Sequence, residues 1–298
     1  MRVLYIGNLT LDKVGERLRV GGSGYYGGRA LAAYLDVETY ILTNVDENYR
    51  GLVLGLLNSY GIKVFEIKSN SMPIFIINSG KAVEFQGTSS KISKEVIESY
   101  LKMGEFNIVI IAPIMRETDI DSIYLIIEDF SRSTINVVAL DIQGFVRNIR
   151  DNRITCEWIE GLELMLPYID IVHGNIKEFC FAKEEQMVIK SIKELSTTLD
   201  TAFLVSLDVR GTYLVYSGEV LYIPSLSVNT VDEVGAGDVL LAVTSYYRAR
   251  NENILSSSIK GIIAASLKVE NAYRDWFDRE TIESIAQSHE KMIKVISI

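Results

Sequence analysis

Residues 231–242 read VDEVGAGDVLLA, with three small residues directly before an acid and the acid directly before an apolar run. If that run begins a helix, Gly235, Ala236 and Gly237 lie at its N-terminus, where unpaired N–H groups and the positive end of the helix dipole collect. Glycine at such a place lets an anion approach the main chain, because no Cβ intervenes. An acid beside an anion hole repels the anion unless its task is to take a proton from an attacking nucleophile. The pattern therefore points to phosphoryl transfer to a hydroxyl, with Asp238 as general base. The same four residues also suit a loop closed by an N-cap Asp, which needs no ligand.

The elements that must position these residues follow from the apolar pattern. RVLYIG, TYILTN, NIVIIAP, NVVALD, DIVHGN and AFLVSL are runs of strand length, several without alternation, as in strands covered on both faces. Helix-period stretches separate them at 26–35, 49–60, 93–103, 120–133 and 186–199. Repeated β-α units predict a mostly parallel sheet between helical layers. Residues 12–20 and 64–88 break the rhythm with short β-like segments, and read as a small β-flap. Residues 211–225 read as a hairpin around Ser-Gly-Glu, after which helices dominate.

Composition narrows the classes of function. With 298 residues, 48% of them hydrophobic, the chain can bury a large core as one domain. A net charge of −9 works against non-specific attraction to nucleic acid or an anionic membrane, so an anionic ligand must be caught locally. Cys156 and Cys180 sit in no metal or redox spacing, and two histidines in total speak against a His-based metal centre or a Ser-His-Asp triad. The N-terminal run MRVLYIGNLTLD reads as a buried first strand rather than a signal peptide or a membrane span. A cytoplasmic, reducing compartment is the simplest expectation.

Several motifs in order resemble the ribokinase-like (PfkB-type) family of small-molecule kinases over roughly residues 3 to 270. Asp232-Glu233-Val234-Gly235-Ala236-Gly237-Asp238 is similar to its D-x-x-G-A-G-D signature. Asn175-Ile176-Lys177-Glu178 is similar to its N-x-x-E motif, which implies a role in organising Mg²⁺ and its waters around the nucleotide phosphates. FLVSLDVRGTYLVY resembles the strand-turn-strand beside the nucleotide, with Ser206 and Gly211 at its corners. GNLTLD followed by VGGSGYYGGRALAAYL resembles the substrate Asp, here Asp12, and then a Gly-Gly turn, here Gly21-Gly22, opening a helix. VALDIQGFVR is similar to a segment of plant and archaeal myo-inositol kinases. The resemblance implies a ribokinase-like three-layer α/β/α sandwich with a mostly parallel central sheet and a small β-lid from about 12–20 and 64–88. It also implies ATP, Mg²⁺ and a sugar or polyol substrate.

Each motif has a physical reason and a bland competitor. Asp12, placed at the end of the first strand, can accept from two adjacent hydroxyls of a polyol, or serve an ordinary turn. Gly21 and Gly22 let backbone N–H groups approach a sugar, or simply make a tight turn. Asn175 and Glu178 share a face if a helix begins there, so both can address one water-coordinated metal; an N-cap Asn with a capping-box Glu is the alternative. Asp141, Gln143 and Arg147 lie at a strand's C-terminal end, where open parallel sheets place ligands, and Arg147 can pair with a nucleotide phosphate or with Asp141. His173 reads as a satisfied strand-end histidine without a role. Tyr26 stands where many ribokinase-like enzymes carry Asn, which bears on the substrate pocket, and Val243 stands where they carry a small residue. Glu233 and Val234 replace threonines, which weakens the case for a monovalent cation site without closing it.

The resulting expectation is an ATP-dependent kinase acting on a hydroxyl of a sugar or polyol such as myo-inositol or ribose. The donor would lie between 206–211 and the C-terminal helices, and the acceptor under the flap against Asp12, Gly21, Gly22, Tyr26 and Gln143. A nucleoside kinase, a non-catalytic sugar or nucleotide sensor and, more remotely, a dinucleotide-dependent oxidoreductase through GGSGYYGG are the competing readings. No nucleic-acid or membrane partner is expected, and the flap's exposed edge is a template for a homodimer.

Overall fold

The computed structural model describes residues 1–78, 81–124, 135–151 and 153–298. In chain order the strands are β1 (Arg2–Ile6), β2 (Thr10–Val14), β3 (Arg17–Gly21), β4 (Glu38–Asp46), β5 (Lys63–Ser69), β6 (Ile74–Asn78), β7 (Lys81–Gln86), β8 (Ile108–Ile111), β9 (Val137–Asp141), β10 (Arg147–Arg150), β11 (Arg153–Cys156), β12 (Ile171–Asn175), β13 (Ala202–Ser206), β14 (Gly211–Tyr216), β15 (Glu219–Pro224) and β16 (Lys294–Val295). The helices used below are α1 (Ser23–Tyr34), α2 (Arg50–Ser59), α3 (Lys94–Met103), α4 (Gln143–Val146), α5 (Glu185–Ser196), α6 (Ala236–Ala249), α7 (Ile254–Glu270) and α8 (Arg279–His289).

The uninterrupted apolar runs become the central sheet because both of its faces are covered. Its order is β16-β15-β14-β13-β12-β9-β8-β1-β4-β5, parallel from β13 to β5 and antiparallel across β13 to β16. Alternate side chains feed two cores. Val3 and Tyr5 pack with α1, α6 and α7, while Leu4 and Ile6 pack with Ile97 and Leu101 of α3 and Val188, Ile189 and Ile192 of α5. The result is the three-layer α/β/α sandwich that the sequence predicts. β1 lies between β4 and β8, so successive crossovers leave it in opposite directions and open a crevice at the C-terminal strand ends.

A second sheet, β10-β11-β7-β6-β2-β3, stands over that crevice. It differs from the expected flap in three ways. Residues 64–69 of the supposed flap pair in parallel with β4, because VFEIKS forms the half-covered edge of the main sheet. The polar hairpin β10–β11 joins the second sheet through Arg153 opposite Glu84. Asp12 lies within β2, opposite Arg19 of β3, rather than at the end of β1. Residues 120–124 begin a helix as expected; residues 125–133 of that expected helix lie outside the described residues.

Where the chain leaves β1, one buried carboxylate fixes the crossing between the sheets. Glu117, fully buried, accepts from the N–H groups of Asn8 (2.7 Å), Ile114 (2.8 Å) and Met115 (2.7 Å). The Asn8 amide in turn accepts from the Asn44 N–H (3.1 Å) and side chain (2.9 Å), and donates to Ser89 Oγ (2.8 Å) and the Ser90 carbonyl (2.9 Å). Removing Glu117 leaves three buried donors without an acceptor. Glu117→Ala is expected to cost about 3–5 kcal/mol, measured by urea unfolding; a loss under about 1 kcal/mol would show that water or a neighbour replaces the carboxylate.

Candidate active site

The crevice between the two sheets is a cavity of about 730 Å³. The second sheet supplies Thr10, Asp12 and Phe75, the C-terminal ends of the main strands supply Asp141, Asn175 and Ser206, and the start of α6 supplies Gly235 to Asp238. Two helices begin here, each after a glycine of positive φ: Gly22 (93°) before α1 and Gly235 (83°) before α6. Ser23 of α1 donates to Asp238 Oδ1 at 2.5 Å and accepts from Gln143 Nε2 at 2.8 Å. Burial, reinforced by the nearby Asp141 charge, pushes the Asp238 carboxyl up to about 6 against the opposing hydrogen bond from Ser23.

The Gly-Ala-Gly sequence is required by packing. A Cβ on Gly235 would lie 2.1 Å from the Tyr26 ring, and one on Gly237 would lie 2.6 Å from His173 Cε1. His173, on β12, is itself fixed on both sides: Nδ1 bonds Asp141 Oδ2 at 2.8 Å and Nε2 bonds Ser206 Oγ at 2.7 Å. Burial disfavours the imidazolium, but the Asp141 carboxylate outweighs it and the His173 pKa is raised. The Ser-His-Asp order that two histidines seemed to rule out is thus present as geometry. Its histidine forms the wall against which the first turn of α6 rests.

Under the second sheet, Asp12 is buried and accepts from Thr10 Oγ1 at 2.9 Å and the Tyr26 hydroxyl at 3.3 Å, and burial raises its pKa. Gly21, opposite Thr10 in the same strand pair, leaves room for the carboxylate: a Cβ there would fall 2.4 Å from Asp12 Oδ2. Arg19, a residue the motif reading passed over, spans from Asp12 (4.0 Å) to Asp232 (2.5 Å). Partial burial opposes the Asp232 charge, yet the Arg19 hydrogen bond and the Val234 N–H hold its carboxyl below the usual range.

At the ends of the main strands, Asn175 ends β12 and Glu178 lies three residues on in a turn; the expected helix at this point begins only at Glu185. Glu178 Oε2 accepts the Asn175 N–H at 2.8 Å, as a capping-box glutamate would, and burial raises its pKa. Arg147 stands 3.5 Å from Glu178 Oε1 and over the Phe75 ring, so its partner is Glu178 rather than Asp141. Asn175 Nδ2 donates to Asp208 at 2.8 Å. Gly211, with φ 129°, turns β14 where a Cβ would meet the Ile223 carbonyl at 2.3 Å. Cys156 and Cys180, which sit in no metal or redox spacing, form a disulfide where the β10–β11 hairpin folds back onto the turn after Glu178.

The donor set suits a water-coordinated divalent cation. Glu178, Asn175 and Asp208 line one cavity, and their oxygens could hold a divalent cation through its waters. A free monovalent cation fits poorly at the loop before α6. There the carbonyls of Asp232 and Val234 both accept from Lys268 Nζ of α7. Burial lowers the Lys268 ammonium to about 8, with Asp232 opposing the fall.

The pfkB family carbohydrate kinase model matches residues 134–274. A Pyrococcus horikoshii protein carrying a provisional sugar-kinase name is 26% identical over 206 residues, 69% of this chain and 60% of that relative's length. A pyrophosphate-dependent kinase in the ribokinase family, solved with a pyrophosphate analog and myo-inositol, superposes with a TM-score of 0.76 at 18% identity, covering 95% of this chain and 99% of that one. Phosphofructokinase-2 from Escherichia coli in complex with potassium superposes at 0.70 with 16% identity, covering 97% and 99%. Over residues 134–274 the chain is similar to the pfkB family carbohydrate kinases, and it shares its fold with solved kinases of the ribokinase family.

Two departures from the resemblance now have a structural setting. Tyr26 joins Gly235 to Asp12, its ring under the first turn of α6 and its hydroxyl on the carboxylate. Val243 is fully buried in the α6 core, away from the cavity lining. The wall formed by His173 gives a direct test. Gly237→Ala is expected to lower stability by about 1–3 kcal/mol, the usual cost of overpacking, and to cost less in a His173→Ala background. Equal losses in both backgrounds, read by thermal or urea unfolding, would mean that the two residues do not press on each other.

Proposed function

We propose that this protein transfers the γ-phosphoryl group of ATP to a hydroxyl of a sugar or polyol, with Asp238 as the general base. The observation that carries this reading is the position of Asp238: a buried carboxylate in the first turn of α6, its proton affinity tuned to about 6, between a polar acceptor pocket and the donor strand ends. Such a group is ionised at neutral pH, yet basic enough to take a proton as the hydroxyl oxygen attacks. Ser23 and Gln143 hold the carboxylate in place, and Asp12 with Thr10 offers acceptors for vicinal hydroxyls. The N–H groups of Gly235 to Asp238 would receive the transferring group, and Arg147 and Lys177 add positive charge to that half of the cavity. Mg²⁺, held through water by Glu178 and Asn175, would supply neutralisation of the donor phosphates.

ATP is preferred over bare pyrophosphate for a specific reason. The donor half continues past the strand ends along Leu226, Val228, Ile262, Ala265 and Val269, an apolar slot that suits a flat base and that pyrophosphate would leave empty. Thr10, Asp12, Tyr26 and Gln143 line the other half, and their polar groups suit the hydroxyls of a sugar or polyol.

The test is donor consumption from ATP·Mg²⁺ or pyrophosphate·Mg²⁺ against myo-inositol, ribose, fructose, 2-keto-3-deoxygluconate and common nucleosides. Turnover on a sugar or polyol with ATP is expected, and turnover only on a nucleoside, or only with pyrophosphate, would replace the corresponding half of the proposal. Asp238→Asn is expected to lower kcat by about 10²–10⁴ while the variant still folds. Because only the deprotonated form can act as base, kcat of the wild type should rise with pH through about 6 and level off above it. A flat profile between pH 5 and 8, or near-normal turnover by the variant, would remove Asp238 from the chemical step.

A further inference from the structure

We propose that Lys268 is a built-in monovalent cation: its ammonium group occupies the carbonyl-lined position beside the α6 N-terminus and makes this enzyme independent of potassium. Three observations carry the inference. The loop before α6 turns two backbone carbonyls, those of Asp232 and Val234, towards one point, and Lys268 Nζ sits there, at 3.0 Å from the former and in hydrogen-bond contact with the latter. Convergent carbonyl oxygens are the ligand set of a weakly hydrated monovalent cation, whose water shell they replace. The ring faces of Tyr26 and Trp276, 5.2 and 5.9 Å from Nζ, flank the same charge.

The side chain is also placed for this and for no ordinary ion pair. Lys268 is 1% exposed, yet both of its hydrogen bonds go to carbonyls. The nearest carboxylate, Asp232, is already engaged by Arg19 and by the Val234 N–H. A lysine whose role was charge neutralisation would point at that carboxylate. Lys268 instead braces the loop from below, and the N–H groups of Val231 and Asp232 tie the same loop to the Val269 carbonyl. The loop's geometry and a fixed positive charge therefore reach the candidate anion hole through one side chain.

The inference rests on the kinase reading only for its activity arm, so a second arm uses thermal unfolding alone. Wild-type protein is compared in tetramethylammonium chloride and in potassium chloride at equal ionic strength. Turnover is expected to change by less than about twofold, and the unfolding midpoint by less than about 1 °C. Lys268→Ala makes room for a free cation. It should lose turnover by about tenfold or more in tetramethylammonium, recover with K⁺ or NH₄⁺, and gain about 3 °C or more in midpoint from either ion. Lys268→Met fills the same space without charge and should lose turnover without recovery. Strong potassium activation or stabilisation of the wild type, or a folded alanine variant indifferent to every cation, overturns the proposal. If both variants fail to fold, the wild-type comparison decides it. A chain that turns over no acceptor but passes the thermal arm retains this inference and loses the kinase reading.

Discussion

The first turn of α6 lies in a slot that has no room for a side chain at Gly235 or Gly237, and the rest of the site is arranged around that fact. Gly235 is pressed against the Tyr26 ring and Gly237 against His173, so the main chain itself forms the surface facing the cavity. Each wall is held from behind, Tyr26 by its bond to Asp12 and by neighbouring rings, His173 by Asp141 and Ser206. A backbone exposed to ligand yet supported on both sides can present its N–H groups in fixed directions, and this preorganisation is what makes electrostatic stabilisation effective. Because Tyr26 also touches the acceptor carboxylate, and Ser206 lies on the donor side, the slot joins both halves of the cavity mechanically.

Charge is distributed on the same plan. The chain is acidic overall, with a net charge of −9, but Arg19, Arg147 and Lys268 stand around the cavity, each committed to a specific partner. Arg19 joins the second sheet to the loop before α6, Arg147 faces Glu178, and Lys268 faces carbonyls. A pair of unit charges at about 4 Å is worth about 4 kcal/mol at the effective dielectric near a protein surface, and far less once exposed to water. Partly buried pairs of this kind can therefore orient an anion that the molecule as a whole repels. His173 and Asp141 add a buried pair against the first turn of α6, at the edge of the cavity.

The parts of this arrangement legible in the sequence are those set by periodicity and by local chemistry. Continuous apolar runs identify the central strands because a sheet covered on both faces has no polar side. The Gly-Ala-Gly-Asp order identifies the helix start because the close approach demands it. What stayed illegible depends on pairing at a distance. Residues 64–69 read as flap because an edge strand alternates like a surface ribbon, and RNIRDNRITC carries too little apolar signal to announce the β10–β11 hairpin. His173 and Ser206 are strand-end residues whose meeting depends on the register of β12 with β13. For Lys268 a signal existed: Gly261, Ala264 and Lys268 recur at helical spacing on the buried side of α7, where a lysine requires an explanation.

The second sheet is anchored to the main body at three separated points. The Asn8 and Glu117 network holds the chain as it leaves β1, Arg19 bonds Asp232 above the start of α6, and the Cys156–Cys180 disulfide ties β11 to the turn after Glu178. These anchors lie at the base, the acceptor side and the donor side of the cavity. The exposed residues of β2 and β3, from Lys13 to Leu18, lie beyond all three, at the turn of the hairpin. Asp12 sits one residue inside that boundary, on the buried side, so the carboxylate facing the acceptor is carried by the anchored portion of the strand and not by its tip. A solvent-exposed hairpin can thus hold a precisely placed binding group, because the residues that fix it belong to the walls of the cavity.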